Sequence, residues 1–388
     1  MLASLYQPYA VGGAERVVQD LAEGMSGLGH QVEVLSTAPD GIERRETIGN
    51  VPVDFVRVRN AYRPFDKGET PSAGRRLIFH AMDSWNPYMA SLVSRKVKAF
   101  RPDVVNSHNI TGFSPTAFRA IHGEGVPIVH TLHDQYLLCP KTTMYRADNC
   151  QRRCLICKPY AMVRGWQAEV DLVVGVSEFI LERHRRLGLF GNSPSRVIRN
   201  AAPENCAGSR PRGVLPVRFG YLGQIRPTKG LHILVRAFLA EQFDNAELYI
   251  AGRGDPAYET ELKAATAGHP NVQWLGFADN RIFLDSIDVL VVPSVWHDTA
   301  PLVLLEAFSA SRPVIASNRG GIPEFVTPDT GWIFDSSRPE QLRALLRSCV
   351  DDPGLLTSLG GRAKLVAERQ NSAKFLSEYQ DAYSSVCN

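Results

Sequence analysis

The sequence predicts an α/β protein made of two doubly wound domains in tandem, and three observations carry that prediction. Short Val/Ile/Leu-rich runs alternate with longer amphipathic segments. The same rhythm restarts after residue 215. Between the two runs lies NAAPENCAGSRPRGV, residues 200–214, which is rich in Pro, Gly and Ala and lacks periodicity, as an interdomain linker would. At 388 residues the chain is longer than one typical domain, and each half is long enough to bury its own core. The expected division is 1–200, a linker at 201–214, 215–370, and a C-terminal helix at 371–388 that crosses back to the first domain.

In the first domain, residues 31–35, 103–106, 127–130 and 171–174 read as strands. They are apolar on both faces, which fits a parallel sheet covered by helices on each side. Residues 15–28 read as a helix, with Ala14, Val17, Val18, Leu21, Ala22 and Met25 on one stripe. Gly12-Gly13 follows so soon that the first strand must be very short or lie partly before Met1. In the second domain, strands are expected at 217–222, 248–251, 289–292 and 313–317, and helices at 230–240, 301–309 and 339–351. Ligands of such sheets bind at the carboxyl ends of the strands, so two facing domains would hold one in the cleft between them.

Composition narrows the class. With 44% hydrophobic and 21% charged residues, a disordered, collagen-like or coiled-coil chain is excluded. The net charge of +3 is too small to indicate nucleic-acid binding. It is uneven: residues 1–200 hold 25 Lys and Arg against 19 Asp and Glu, and the remainder 18 against 21. A basic first half and an acidic second half suggest different partners. No apolar run approaches the roughly 18 residues of a spanning helix. The opening MLASLYQPYAVGG has no cationic start and a broken apolar core, unlike a signal peptide. A cytoplasmic location is therefore expected, and stable disulfides are improbable there.

Four segments can carry chemistry. The first is Val295 to Glu306 (VWHDTAPLVLLE), where Pro301 suits the start of a helix. The N–H groups of Leu302, Val303 and Leu304 would then face outward and attract phosphate. Asp298, before that start, and Glu306, nearly two turns in, would accept from ligand hydroxyls; a surface acid and a buried, satisfied Glu are the plain alternative. The second is GYLGQIRPTKG, residues 220–230, which places Gly223, Arg226 and Lys229 after a strand, where they would neutralise a diphosphate or simply form a solvated loop. The third is Gly12-Gly13, whose backbone could approach a phosphate, a weaker signal than a three-glycine fingerprint. The fourth is the pair His108 and His133, each following a strand, in catalytic or structural roles.

Taken together, these segments resemble glycosyltransferase family 4, the retaining nucleotide-sugar transferases of GT-B fold. GGAERVV, YLGQIRPTKG, the stretch VLVVPSVWHDTAPLVLLEAFSASRPVIASNRGGIPE and the closing helix match in order over nearly the whole chain. The resemblance implies two Rossmann-like domains facing across a cleft. It also implies a catalytic set of His133, Arg226, Lys229, Asp298 and Glu306, with His108 as an acceptor-side candidate. A donor site follows from Gly12, Gly13, Gly223, Arg226, Lys229, Gly252, Phe277, Asp298, Pro301, Leu302, Val303 and Glu306. Of the family's two acids eight apart, the first contacts the transferred sugar and the second the ribose. Asp298 replaces the usual Glu, and Gln224 stands where the family has Arg, so Arg226 is expected to supply that charge. The donor would be a UDP or GDP sugar such as GDP-mannose, and the acceptor a saccharide or lipid-linked chain in polysaccharide assembly. There is no Asp-x-Asp motif, so no metal is expected at the leaving group. A sugar-nucleotide epimerase and an inert sugar-nucleotide-binding protein are the alternatives.

Cys139, Cys150, Cys154 and Cys157 lie within nineteen residues, and four thiols among Lys and Arg fit a structural zinc, unpaired thiols or disulfides. Cys206, Cys349 and Cys387 are scattered. Tyr88, Met89, Leu92 and Val93, with Arg95, Lys96 and Lys98, follow a helical pattern that would touch anionic lipid, making the first domain a peripheral membrane contact, or would pack in the core.

Overall fold

A computed structural model describes residues 1–9, 12–66, 68, 70–204 and 214–387. Most of the expected linker, 205–213 with Cys206, lies outside the described residues. The chain divides into two compact units. Unit one is Met1–Arg199 with Phe375–Asn388, and unit two is Asn200–Lys374.

Unit one is built on eight strands among the described residues: β1 (Leu2–Ala3), β2 (Val34–Thr37), β3 (Arg44–Ile48), β4 (Val51–Val56), β5 (Val105–Ser107), β6 (Ile128–Leu132), β7 (Leu172–Gly175) and β8 (Ser195–Val197). Their order is β3-β4-β2-β1-β5-β6-β7-β8, parallel except for the β3–β4 hairpin. The helix Gly13–Gly27 buries Val17, Val18, Leu21, Ala22 and Met25, the stripe read from the sequence. The helix Pro87–Phe100 starts where the Asn86 side chain accepts from the Met89 N–H and stops where Arg101 turns left-handed at φ 55°. It buries Met89, Leu92 and Val93, and Lys96 pairs with Asp54 at 2.7 Å. Of the two readings of this stripe, core packing is the one the structure matches: Met89, Leu92 and Val93 are buried, each contributing about 1.5–3 kcal/mol, and only Tyr88 of the four is exposed. The helix Ser372–Ser384 belongs to this unit from Phe375 onward. Its Tyr383 hydroxyl donates to Asn106 Oδ1 at 2.8 Å, and its Tyr379 hydroxyl lies 3.1 Å from that of Thr131.

Unit two carries a six-stranded sheet among the described residues: β9 (Val217–Leu222), β10 (Ala246–Ala251), β11 (Val272–Gly276), β12 (Val289–Val292), β13 (Val314–Ser317) and β14 (Gly331–Phe334). The order is β11-β10-β9-β12-β13-β14, and every pairing is parallel. Alternate residues feed two cores. Val289 and Val291 join one cluster with Phe219 and Ile250, while Leu290 and Val292 join the other with Tyr249 and Phe308. Both sheet faces are covered, as the continuous apolar runs require.

Candidate active site

The strand order of unit two reverses between β9 and β12. From β9 the chain runs outward through β10 to β11, then returns to β12 and continues to β14. The carboxyl ends at such a reversal are where open α/β sheets receive ligands. The loops that leave β9 and β12 there are the two strongest segments of the sequence, 223–230 and 293–301.

Close backbone approach shapes these loops. Gly230 has φ 72°, and a Cβ on it would stand 1.9 Å from the Pro293 carbonyl oxygen, so only glycine lets the two loops touch. Gly252 has φ 144°, and a Cβ there would meet the Gly223 oxygen at 1.8 Å, which locks the ends of β9 and β10 together. A short 3₁₀ turn, Pro227–Lys229, then aims Lys229. Its Nζ lies 2.5 Å from Asp298 Oδ2 and 5.2 Å from the centre of the Trp296 ring. Asp298 is 6% exposed, and its carbonyl accepts from the Gly321 N–H at 2.8 Å. The expected cation and the first acid are therefore partners. Arg226 is exposed one turn earlier, and the main-chain oxygen of Gln224 accepts from the Tyr221 hydroxyl at 2.7 Å.

The helix Leu302–Ser309 begins at Pro301 with no side-chain cap. Leu304 differs from expectation: its N–H donates to the Pro301 carbonyl at 3.1 Å. That leaves Leu302 and Val303 as the first-turn donors without a side-chain acceptor. Glu306 is buried, and its Oε2 accepts from Asn280 Nδ2 at 3.0 Å. Asn280 is held because Asp279 caps its helix by accepting from the Ile282 N–H. Phe277 is 76% exposed, with the Arg253 guanidinium 5.8 Å from its ring centre. Asn280, Trp296 and Arg253 escaped sequence reading because no spacing rule ties them to the acids. His297 escaped too, although its Nδ1 accepts from the Gly320 N–H at 3.2 Å.

The other expected residues lie in unit one. The Gly12 N–H, expected to face phosphate, donates instead to Glu15 Oε2 at 2.8 Å, and Gly13 opens the following helix. His108 and His133 do meet, with Nδ1 and Nε2 3.0 Å apart. Burial lowers the His133 pKa to about 4 and holds His108 well below the usual imidazole range. His130 beside them is lowered to about 3 and His184 to about 4, again chiefly by burial. Burial raises Asp134 to about 6, with the Glu15 carboxylate adding to the shift.

These values fix a pH dependence. An unfolded histidine titrates near 6.5, so the unfolded chain binds more protons than the folded one below that pH. Stability from the buried neutral histidines is complete above about pH 6.5 and drains as pH falls toward 4; at pH 5 one lowered to about 4 has cost about 2 kcal/mol. Asp134 acts in the opposite sense between about 6 and 4, one group against four. A melting series should show a lower midpoint at pH 5 than at pH 7.5. An equal or higher midpoint at pH 5 would mean that these rings are not buried neutral.

Of the three readings of the cysteine cluster, the structural zinc gains no support from the structure. Among the described residues no group of three or more His, Cys, Asp or Glu side chains is arranged to hold a metal ion. Cys139 and Cys157 are buried while Cys154 is exposed, and all four thiols are unpaired by disulfides. The Cys157 thiol is hydrogen-bonded with those of Cys154 and Cys139.

Comparison with known proteins bears on the same two units. The profile described as Glycosyltransferase Family 4 matches residues 11–204, and Glycosyl transferases group 1 matches 216–366. The chain belongs to glycosyltransferase family 4. It is 29% identical over 375 residues to the glycogen synthase of Mycobacterium tuberculosis, covering 91% of this chain and 86% of that one. It is 25% identical over 340 residues to an uncharacterized 42.6 kDa protein of the Klebsiella pneumoniae cps region, covering 86% and 89%. A sucrose-phosphate synthase from Thermosynechococcus elongatus shares its fold at TM-score 0.77 and 17% identity, over 99% of this chain and 98% of that one. Anabaena HepE in complex with UDP does so at 0.74 and 18%, over 99% and 100%. The fold of this family 4 enzyme is GT-B, and its activity is glycosyl transfer.

Proposed function

We propose that this family 4 enzyme transfers a sugar, with retention of anomeric configuration, from a nucleoside diphosphate donor to a saccharide or lipid-linked acceptor in polysaccharide or glycolipid assembly. One observation carries the reading: at the β9/β12 reversal, Lys229, Asp298, the uncapped helix start at Leu302 and the buried Glu306 come from one pair of loops and the helix that follows. The diphosphate takes Lys229 and the N–H groups of Leu302 and Val303, with Arg226 as a second cation. Lys229 and Asp298, in contact here, then divide between adjacent parts of the donor: cation on diphosphate, carboxylate on a sugar hydroxyl. Glu306, fixed by Asn280, accepts from the ribose.

The bond from the anomeric carbon to the phosphate oxygen breaks with its electron pair going to that oxygen. The acceptor oxygen attacks from the same face and gives its proton to the departing phosphate. Charge on the leaving group is met by the chain's own donors, so no divalent ion is needed there. His133, held neutral by burial, positions the sugar through a hydrogen bond rather than by taking a proton. Gln224 and Asp298, where the family has Arg and Glu, favour a second reading in which the chain binds a nucleotide sugar without consuming it.

A melting screen with UDP, GDP and ADP identifies the base, because a ligand bound only by the folded chain raises its stability. Incubation with the matching sugar donors should release nucleoside diphosphate; binding without consumption under any acceptor supports the second reading instead. Replacing Glu306 by Gln keeps its shape and removes a charged acceptor. We expect kcat/KM to fall about 10- to 150-fold, since such a hydrogen bond contributes about 1.5–3 kcal/mol. An unchanged value would remove Glu306 from the donor site.

A further inference from the structure

We propose that two helices of unit one, Ala73–Ser84 and Cys157–Gln167, together form a docking surface for an anionic lipid bilayer. Both helices are inside out. In Ala73–Ser84 and the residue after it, Leu77, Ile78, Ala81, Met82 and Trp85 are exposed and fall within an arc of about 140° at the helical 100° per residue. The opposite side buries Phe79, Asp83 and Ser84. On Cys157–Gln167 and its lead-in, Leu155, Ile156, Pro159, Met162, Val163 and Trp166 share an exposed arc of about 120°. Cys157, Tyr160, Arg164 and Gln167 face inward. Leu77 is 72% exposed, Leu155 86%, Met162 68% and Trp166 62%.

The interior holds the two helices together and so makes one surface of the two stripes. Arg164 Nη2 donates to Asp83 Oδ2 at 2.6 Å with both side chains buried, and Gln167 Nε2 donates to the Ser84 carbonyl at 2.7 Å. Outside, the Trp85 and Trp166 rings stack at 6.0 Å and 10°, joining the stripes. Soluble chains rarely leave so many contiguous apolar side chains in water.

Charge selects the occupant. The one acid within either helix is Asp83, which is buried. Arg75 and Arg76 are exposed in the first turn of one helix and Lys158 in that of the other, and the Arg119 guanidinium lies 4.1 Å from the Trp166 ring centre. Aliphatic and indole side chains rimmed by cations are the composition of an interfacial membrane face, where Trp sits at headgroup depth and cations meet anionic lipid. A second copy of this chain would instead bring like charges face to face.

The inference goes beyond the donor reading and does not rest on it. The test is co-sedimentation of the full chain with vesicles of phosphatidylcholine alone and of equal parts phosphatidylcholine and phosphatidylglycerol. The wild type should sediment with the anionic vesicles, less so at high salt, and not with the neutral ones. Met162→Glu and Leu77→Glu alter exposed side chains and should leave the melting temperature unchanged while each cuts vesicle binding about ten-fold. Absence of wild-type binding, or binding indifferent to both substitutions, would overturn the proposal. So would a wild-type dimer that Met162→Glu makes monomeric, which would mark a protein interface. Failure here leaves nucleotide binding untouched, so the two readings fall separately.

Discussion

Replacing Lys229 by Met should lower kcat/KM for the donor about 100- to 1000-fold while the fold is retained. Lys229 is partly exposed, so the substitution empties no core site, and Met keeps a long apolar stem while removing the charge that lies 5.2 Å from the Trp296 ring centre. What goes is the ammonium paired with Asp298, in the loop that leaves β9. A preorganised charge facing a leaving group typically contributes about 2.7–4 kcal/mol, which sets the expected range. Asp298 loses its partner at the same time, and its uncompensated carboxylate repels an incoming diphosphate. A second substitution, Asp298→Asn, should therefore restore part of the diphosphate affinity but not turnover, because the sugar contact is then absent. Kinetics and nucleotide binding measured on both single variants and the double variant separate the two contributions. If Lys229→Met alone leaves kcat/KM within three-fold of wild type, about 0.7 kcal/mol, the residue does not meet the leaving group.

Replacing Arg164 by Met should cost unit one about 3–5 kcal/mol. Removing one partner of a buried ion pair leaves the other charge without compensation. Asp83 would keep the Tyr136 hydroxyl at 2.6 Å and the Gly112 N–H at 2.8 Å but lose its cation. The guanidinium also fills the space between two rings, 3.8 Å from the centre of Tyr136 and 4.0 Å from that of Tyr160, so packing is lost with charge. Urea titration followed by near-ultraviolet dichroism reads the effect. Replacing both partners, Asp83→Leu with Arg164→Met, should recover most of the loss, because no charge is then left buried. A single variant within 1 kcal/mol of wild type would show that the pair is not desolvated as described.

The two-unit α/β architecture was legible because its central strands are apolar on both faces. Strands 217–222 and 289–292 were read with the bounds they have, Val217–Leu222 and Val289–Val292. Others slid by one to three residues, since Asp103 and Pro127 precede strands rather than begin them. The hairpin of β3 and β4 was not read: Arg44–Ile48 is a polar edge strand with no core face. The β14 strand, Gly331–Phe334, was hidden by its short and half-exposed pattern.

At the site, the spacing of Asp298 and Glu306 and the position of Lys229 were readable. Their mutual arrangement was not, because the Lys229–Asp298 contact joins residues 69 positions apart through the close passage at Gly230. Asn280 on Glu306 is equally non-local. The inside-out helices escaped for a different reason: amphipathic pattern marks two faces but does not say which one meets the core. The Tyr88-to-Val93 stripe could be read as lipid-facing or as core-packed and packs inward, whereas Arg164 and Asp83, which look like surface residues, are buried against each other.

The central claim is that the loops after β9 and β12 hold a nucleoside diphosphate with protein groups alone. Calorimetric titration of UDP, GDP and ADP into the wild type, Lys229→Met and Glu306→Gln, all with a divalent-ion chelator present, tests it most directly. One nucleotide should bind the wild type in chelator and lose at least ten-fold in affinity in each variant. Equal affinity across the three proteins, or binding that appears only when a divalent ion is restored, would contradict it.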